Sequence, residues 1–214
     1  SATRSTEPAR GGQLTGTTDP PSANDAALLA CAESGDAGGA ARALADGAHT
    51  EARDGRGRTP LLLAVAGDHI GVARHLVAAG ADPNAVDDRT DTPWLVTGVT
   101  GSVEMLETLL PAGPDLTIRN RYGGIAIIPA SERGHVDYVR RVVHTAIDVD
   151  HVNDLGWTAL LEAVILGDGS AAYQEIVSIL LAAGADPLLA DRDGVTAGEH
   201  ARRLGHLQLA ARLS

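Results

Sequence analysis

The phrases Thr-Pro-Leu-Leu at 59–62, Thr-Pro-Trp-Leu at 92–95, Ile-Ala-Ile-Ile at 125–128 and Thr-Ala-Leu-Leu at 158–161 start 33 residues apart. A further Thr-Ala begins at Thr196, 38 residues on. A second phrase recurs later in each unit: L-V-A-A-G-A-D-P at 76–83, L-L-P-A-G-P-D-L at 109–116, V-V-H-T-A-I-D-V at 142–149 and L-L-A-A-G-A-D-P at 180–187. A first unit, from Ala26-Ala27-Leu28-Leu29 to Gly47-Ala48, is degenerate but in register. A fixed period of this size constrains the fold more than any other feature. A unit so short cannot bury an apolar face alone, so neighbours must stack in a row.

The core of such a row must be thin. The chain has 214 residues, 44% of them hydrophobic, yet no Phe and only 2% aromatics. Ala, Leu, Val and Ile must therefore fill it. Thr59, Thr92, Thr158 and Thr196 stand where a helix N-cap is needed, with Pro60 and Pro93 at the first helical position, where no N–H is lost. The first helix of each unit should end at Gly67-Asp68, Gly101, Gly134, Gly167 or Gly205, where a left-handed residue is wanted. A second helix follows, with apolar residues at helical spacing: Val72, Leu76 and Val77; Val103, Leu106, Leu109 and Leu110; Ile176, Val177, Leu180 and Leu181. Gly47, Gly80, Gly113 and Gly184 end it, and an Asp/Asn-rich stretch turns the chain back. Cys31, Ala64, Thr97, Ala130, Ala163 and Ala201 share one repeat position, so it must be tight and Cys31 should be a small buried residue.

The period, the T-P-L phrase and the G-A-D phrase together resemble the ankyrin repeat, over residues 24–214. The resemblance implies an all-α helical solenoid of about six repeats, each with two helices and a projecting hairpin or loop. The units are read at 23–53, 54–86, 87–119, 120–152, 153–190 and 191–214. Residues 1–22 are rich in Ser, Thr, Gly and Pro, and are expected to form a disordered polar tail.

Two units depart from the pattern. In the fourth, Ile125 replaces the capping Thr and Pro129 falls in the first helix. The fifth carries five extra residues between its helices, within Leu166 to Ile176. Together with Gly156 to Gly169, these stretches look like a subgroup of bacterial ankyrin proteins, some of them exported. That resemblance implies no enzymatic activity.

Several functional classes are disfavoured. A net charge of −11 argues against nucleic acid and against anionic membrane surfaces. No apolar run is long enough to span a bilayer. The single cysteine cannot build a thiolate metal site, and His69/His75 and His200/His206 are six apart, off a common helical face. His135 is expected to be a structural hydrogen-bonder. No H-E-x-x-H or G-x-S-x-G is present, and the Gly-Asp-Gly-Ser stretch at 167–170 lacks a P-loop lysine. No catalytic residue, metal or cofactor is expected. The chain begins at Ser1, so a removed leader is compatible, and exported and cytoplasmic placements fit equally well.

The expected function is non-enzymatic binding of a protein partner of acidic or mixed charge, by a monomer, along a concave groove of hairpin tips and first helices. By register, the groove residues are Arg56, Arg58, Arg89, Asp91, Arg121, Tyr122, Trp157 and Arg192 at the turns, with Glu132, Arg133 and Glu162 on helices. Arg, Tyr and Trp supply most interface energy. Trp94 takes a Leu position and should be buried. The alternative is a small-molecule or carbohydrate site, or a weak hydrolase, between repeats four and five. It would centre on Tyr122, Glu132, Trp157, Glu162 and the Gly-Asp-Gly loop. A structural scaffold or homo-oligomer would need large apolar patches, of which the sequence offers little sign.

Overall fold

The computed structural model describes residues 21–214. The reading of the polar tail falls almost wholly on residues 1–20, outside the described residues. Each unit folds as a pair of helices. The pairs are α1 (Ala23–Ser34) with α2 (Ala37–Ala45), α3 (Pro60–Ala66) with α4 (Ile70–Ala78), and α5 (Pro93–Thr100) with α6 (Val103–Leu109). They continue as α7 (Ile127–Glu132) with α8 (Val136–Val142), α9 (Ala159–Ile165) with α10 (Ala171–Ala182), and α11 (Ala197–Arg203) with α12 (Leu207–Arg212). Among the described residues, β structure is limited to an isolated bridge between Ala190 and Thr196. First helices touch first helices of the next unit, from α1 through α11, and second helices do the same from α2 through α12. The result is an all-helical solenoid of two rows, with one continuous core between them.

The caps follow from sequence. Thr59, Thr92, Thr158 and Thr196 each accept the amide three residues on, and Glu199 completes a capping box. Ser22 caps α1 in the same way with Asp25, so the first helix starts three residues before Ala26. Repeat four has no side chain to cap α7, whose first residue is Ile127. Pro129 is then its third residue, where the missing N–H leaves no hydrogen bond unmade.

The tight position holds as expected at Ala64, Thr97, Ala130, Ala163 and Ala201, all 0% exposed. Thr97 is tolerated there because its hydroxyl lies 2.7 Å from Tyr138 Oη, on the second helix of the next unit, and donates to Trp94 O. Cys31 departs from expectation: it is half-buried. α1 lies at the end of the row, with first-helix cover on one side only.

The left-handed residue after the first helix is Asp68, Gly101, Gly134 or Gly205 as expected. In repeat five it is Gly169 (φ 73°), not Gly167. The insertion moves the turn and lengthens α10, and this has a structural purpose. His69 Nε2 lies 3.2 Å from Glu33 O, and His135 Nε2 lies 3.0 Å from Val99 O, each tying the start of a second helix to the first helix of the preceding unit. The equivalent carbonyl in repeat four is that of Glu132. It accepts instead from Tyr173 Oη at 2.8 Å, delivered by the lengthened α10. His135 is thus the structural hydrogen-bonder expected.

The tip row and the first-helix face

Between units the chain makes the same loop five times. The first tip residue is Asp54, Asp87, Asn120, Asn153 or Asp191, and its Oδ1 accepts amides two and four residues on at 2.8–3.0 Å. Such side chains mimic a turn's own backbone, so each loop is closed locally. The fourth residue is left-handed: Gly57, Thr90 (φ 62°), Gly123, Gly156 or Gly194. The third residue then points outward on a fixed frame. It is Arg56, Arg89, Tyr122, Leu155 or Asp193, every one exposed.

Neighbouring tips are stitched together. Asp88 N donates to Arg56 O at 3.2 Å and Asp154 N to Tyr122 O at 3.0 Å. Arg53 Nη1 bridges Gly57 O (2.7 Å) and Val86 O (2.6 Å). His151 Nε2 reaches Gly123 O at 2.7 Å, and Arg192 donates to Asp154 O. Arg53, Asn153, Tyr138 and Tyr173 were not singled out from sequence. Only the five-fold recurrence of Asp/Asn at the tip start pointed towards Asn153.

The expected groove residues divide into three groups. Arg58, Arg121 and Arg192 are engaged. Arg58 pairs with Asp54 at 2.7 Å and with Glu33 at 3.6 Å. Arg121 lies 3.4 Å from Asp91 and over the Tyr122 ring, 4.5 Å from its centroid. Burial and the Asp87 charge push the Asp91 carboxyl up, against the pull of Arg121. Burial pushes Asp54 up too, but the Arg56 and Arg58 amides outweigh it and hold the carboxyl below its ordinary range. Arg56, Arg89 and Arg133 form the second group. They are exposed and make no ion pair among the described residues. On the second-helix row Arg74 pairs with Glu104, Arg140 with Asp137 and Glu175, and Arg141 with Glu107, whereas Arg42 and Arg212 make no ion pair among the described residues.

The third group lies in repeats four and five. Tyr122 is 57% exposed and Trp157 half-buried, whereas Trp94 is buried as expected. Glu132 is half-buried on α7. Glu162, on α9, is only 5% exposed, so its body lies beneath the surface rather than upon it. Asn153 Nδ2 donates to Glu162 Oε1 at 2.7 Å. Burial, with the charge of Glu132, pushes the Glu162 carboxyl up to about 7. The Gly-Asp-Gly stretch closes on itself, with Asp168 Oδ1 accepting from Ser170 N at 2.9 Å. A hollow of about 920 Å³ lies elsewhere, against Asp25, His49, Arg53 and Asp88. Among the described residues, no three His, Cys, Asp or Glu side chains are placed to hold a metal ion, and no helix is long and apolar enough to cross a membrane.

The chain matches the family model "Ankyrin repeats (3 copies)" over residues 95–191 and "Ankyrin repeat" over residues 56–88. It is 45% identical over 106 residues to the ankyrin repeat protein YahD of Escherichia coli strain K12, a match covering 49% of this chain and 53% of YahD. The chain thus spans about half the length of that relative. A crystal structure of an ankyrin repeat domain from Acinetobacter baumannii AYE superposes with a TM-score of 0.83 at 46% identity, covering 87% of this chain and 95% of that one. An Enterococcus ankyrin repeat protein superposes with a TM-score of 0.85 at 38% identity, covering 88% and 96%.

Proposed function

Because the chain belongs to the ankyrin-repeat family, whose members are in general protein-interaction modules, we propose that it binds another protein non-covalently along the groove of loop tips and first helices. The observation that carries this reading is the contrast between the two rows. The same loop frame recurs at every tip while the outward residue changes from Arg to Tyr to Leu to Asp. A constant frame with variable faces binds at little ordering cost. Among the described residues, Arg56, Arg89 and Arg133 make no ion pair on that side of an acidic chain, while on the second-helix row Arg74, Arg140 and Arg141 have ion-pair partners and Arg42 and Arg212 do not. Exposed guanidinium groups and the exposed Tyr122 ring suit an acidic or mixed-charge protein surface. The binder is a monomer, the repeat domain runs from residue 23 to 214, and the activity is recognition rather than catalysis.

Affinity capture from the native host, followed by mass spectrometry, supplies the partner for the test. Reversing the charge of Arg89, Arg121 and Arg133 together should then weaken binding by roughly tenfold or more and flatten its salt dependence. Unchanged affinity in the triple variant would overturn the reading.

A further inference from the structure

We propose that the tips of repeats four and five hold a proline-rich segment of the bound protein in the polyproline II conformation. The segment offers two apolar side chains three residues apart and a carboxylate beyond each of them. The inference rests on the groove reading above and names what the groove takes. Its first support is a change of chemistry along the tips. The outward residue is charged at Arg56, Arg89 and Asp193, but on two adjacent tips it is Tyr122 and Leu155, 57% and 55% exposed. Val152, at the root of the same tip as Leu155, is exposed as well, and Trp157 stands half-buried two residues beyond it. Exposed apolar groups gathered on a fixed frame mark a contact surface.

The second support is spacing. Asp154 N donates to Tyr122 O at 3.0 Å, so the two tips are tied together. Packed helices lie about 8–10 Å apart, and the tips they carry keep that pitch. Polyproline II turns once in three residues at about 3.1 Å each, so residues three apart face one way about 9 Å apart. An extended strand places same-face residues about 7 Å apart, too close for adjacent tips. The backbone chemistry agrees. Trp157 Nε1 makes no hydrogen bond among the described residues, yet it is not among the sealed donors, where Trp94 Nε1 stands. Polyproline II leaves its carbonyls bare to accept from such a donor, whereas a helix has spent its own.

The third support is the order of charges along the patch. Arg121 bounds it on one side, over the Tyr122 ring and with Asp91 at 3.4 Å. Arg192 bounds it on the other. A Cβ on Gly156 would meet Arg192 Cγ at 2.7 Å, so the arginine stem lies across the tip that carries Leu155. Its guanidinium donates to the Asp154 carbonyl and has no ion-pair partner among the described residues. Between the two, the Asp154 carboxylate lies against Gly123, where a Cβ would run into it. A ligand complementary to this order is uncharged at its centre and acidic at its ends.

The test titrates the 15N-labelled full chain with the capped peptide Glu-Pro-Leu-Pro-Pro-Leu-Pro-Glu, and with two controls. One has Lys for both Glu, the other Ala for both Leu. The acidic peptide should shift the Tyr122 and Leu155 amides and the Trp157 indole signal, while the indole signal of buried Trp94 stays put. It should bind about tenfold tighter than either control. Leu155→Ser and Tyr122→Ser alter exposed side chains, and should each weaken binding about tenfold with the melting temperature unchanged. Arg192→Gln should cut the preference for Glu over Lys about threefold. Equal binding of either control, or unchanged binding in the serine variants, would overturn the proposal. Movement of the Tyr122 and Leu155 signals on diluting the free chain would overturn it too, by giving the patch to a second copy. These failures leave the groove reading standing, because its own test reverses Arg89, Arg121 and Arg133 against a captured partner. Failure of that reversal beside a positive peptide titration would sink the charged groove alone.

Discussion

Repeats two and three present arginine as the outward tip residue above apolar first-helix positions, and repeats four and five present Tyr122 and Leu155 above acidic ones. Arg56 and Arg89 stand out from the first pair of tips, above Leu63, Val96 and Val99 on α3 and α5. Tyr122 and Leu155, 57% and 55% exposed, stand out from the second pair, above Glu132 and Glu162 on α7 and α9. The backbone frame is the same in both. A solenoid separates the layer that holds the stack together from the layer that meets a partner, so the outward residues can invert their chemistry without altering the fold.

The inversion depends on the seam between the two regions. Thr97 of repeat three and Tyr138 of repeat four meet there, fully buried, and burial pushes the tyrosine hydroxyl far above its ordinary range. Tyr138→Ala should therefore have the largest effect, costing about 3–5 kcal/mol in chemical denaturation, since it opens a cavity and removes the buried hydrogen bond to the Thr97 hydroxyl. A loss below about 1 kcal/mol would mean that the halves do not depend on this contact.

The next effect tests the polar floor of the second region. The Glu162 carboxyl is raised in the folded state from an ordinary 4.5 to about 7. The folded chain thus binds more protons than the unfolded chain between these values. The contribution to stability is fully present below about 4.5 and is lost as pH rises through about 7. Glu162→Gln removes that loss. It should stabilise the chain by about 1–3 kcal/mol at pH 8 and by almost nothing at pH 4, as read from denaturant midpoints. Equal gains at both pH values would assign the effect to packing rather than ionisation.

The smallest effect lies in the first region. Thr90 takes the left-handed tip position that glycine holds at Gly57, Gly123, Gly156 and Gly194. Thr90→Gly should relieve strain and raise stability by up to about 1 kcal/mol, part of the relief being offset by the freer unfolded chain. If thermal unfolding shows no gain, the strained tip is held by contacts that the other tips lack.

Much of the fold was legible because each repeat must satisfy the same local requirements. Threonine caps, Pro60 and Pro93, the small residue of the tight layer and the glycines after four of the six second helices all act within a few residues of themselves. Where the sequence misled, the cause was not local. Gly167 lost its left-handed role to Gly169 because the longer α10 had to bring Tyr173 to the Glu132 carbonyl. Cys31 is less covered than its counterparts because α1 closes the end of the row. Arg58, Arg121 and Arg192 sit on the expected face, yet they are partly spent on Asp54, Asp91 and the Asp154 carbonyl, which register alone does not reveal.

The sequence by itself determined the architecture, since a 33-residue period with caps and breaks in register admits little but a stacked helical row. Tertiary structure alone decided which charges are free. Pairing across repeats joins residues some thirty positions apart, as in Arg74 with Glu104 or Arg141 with Glu107, and periodicity is blind to it. It also decided that Glu162 lies nearly buried, held by Asn153 and within reach of the Glu132 charge. Burial and the field of a neighbouring helix are properties of the assembled stack, not of any one repeat.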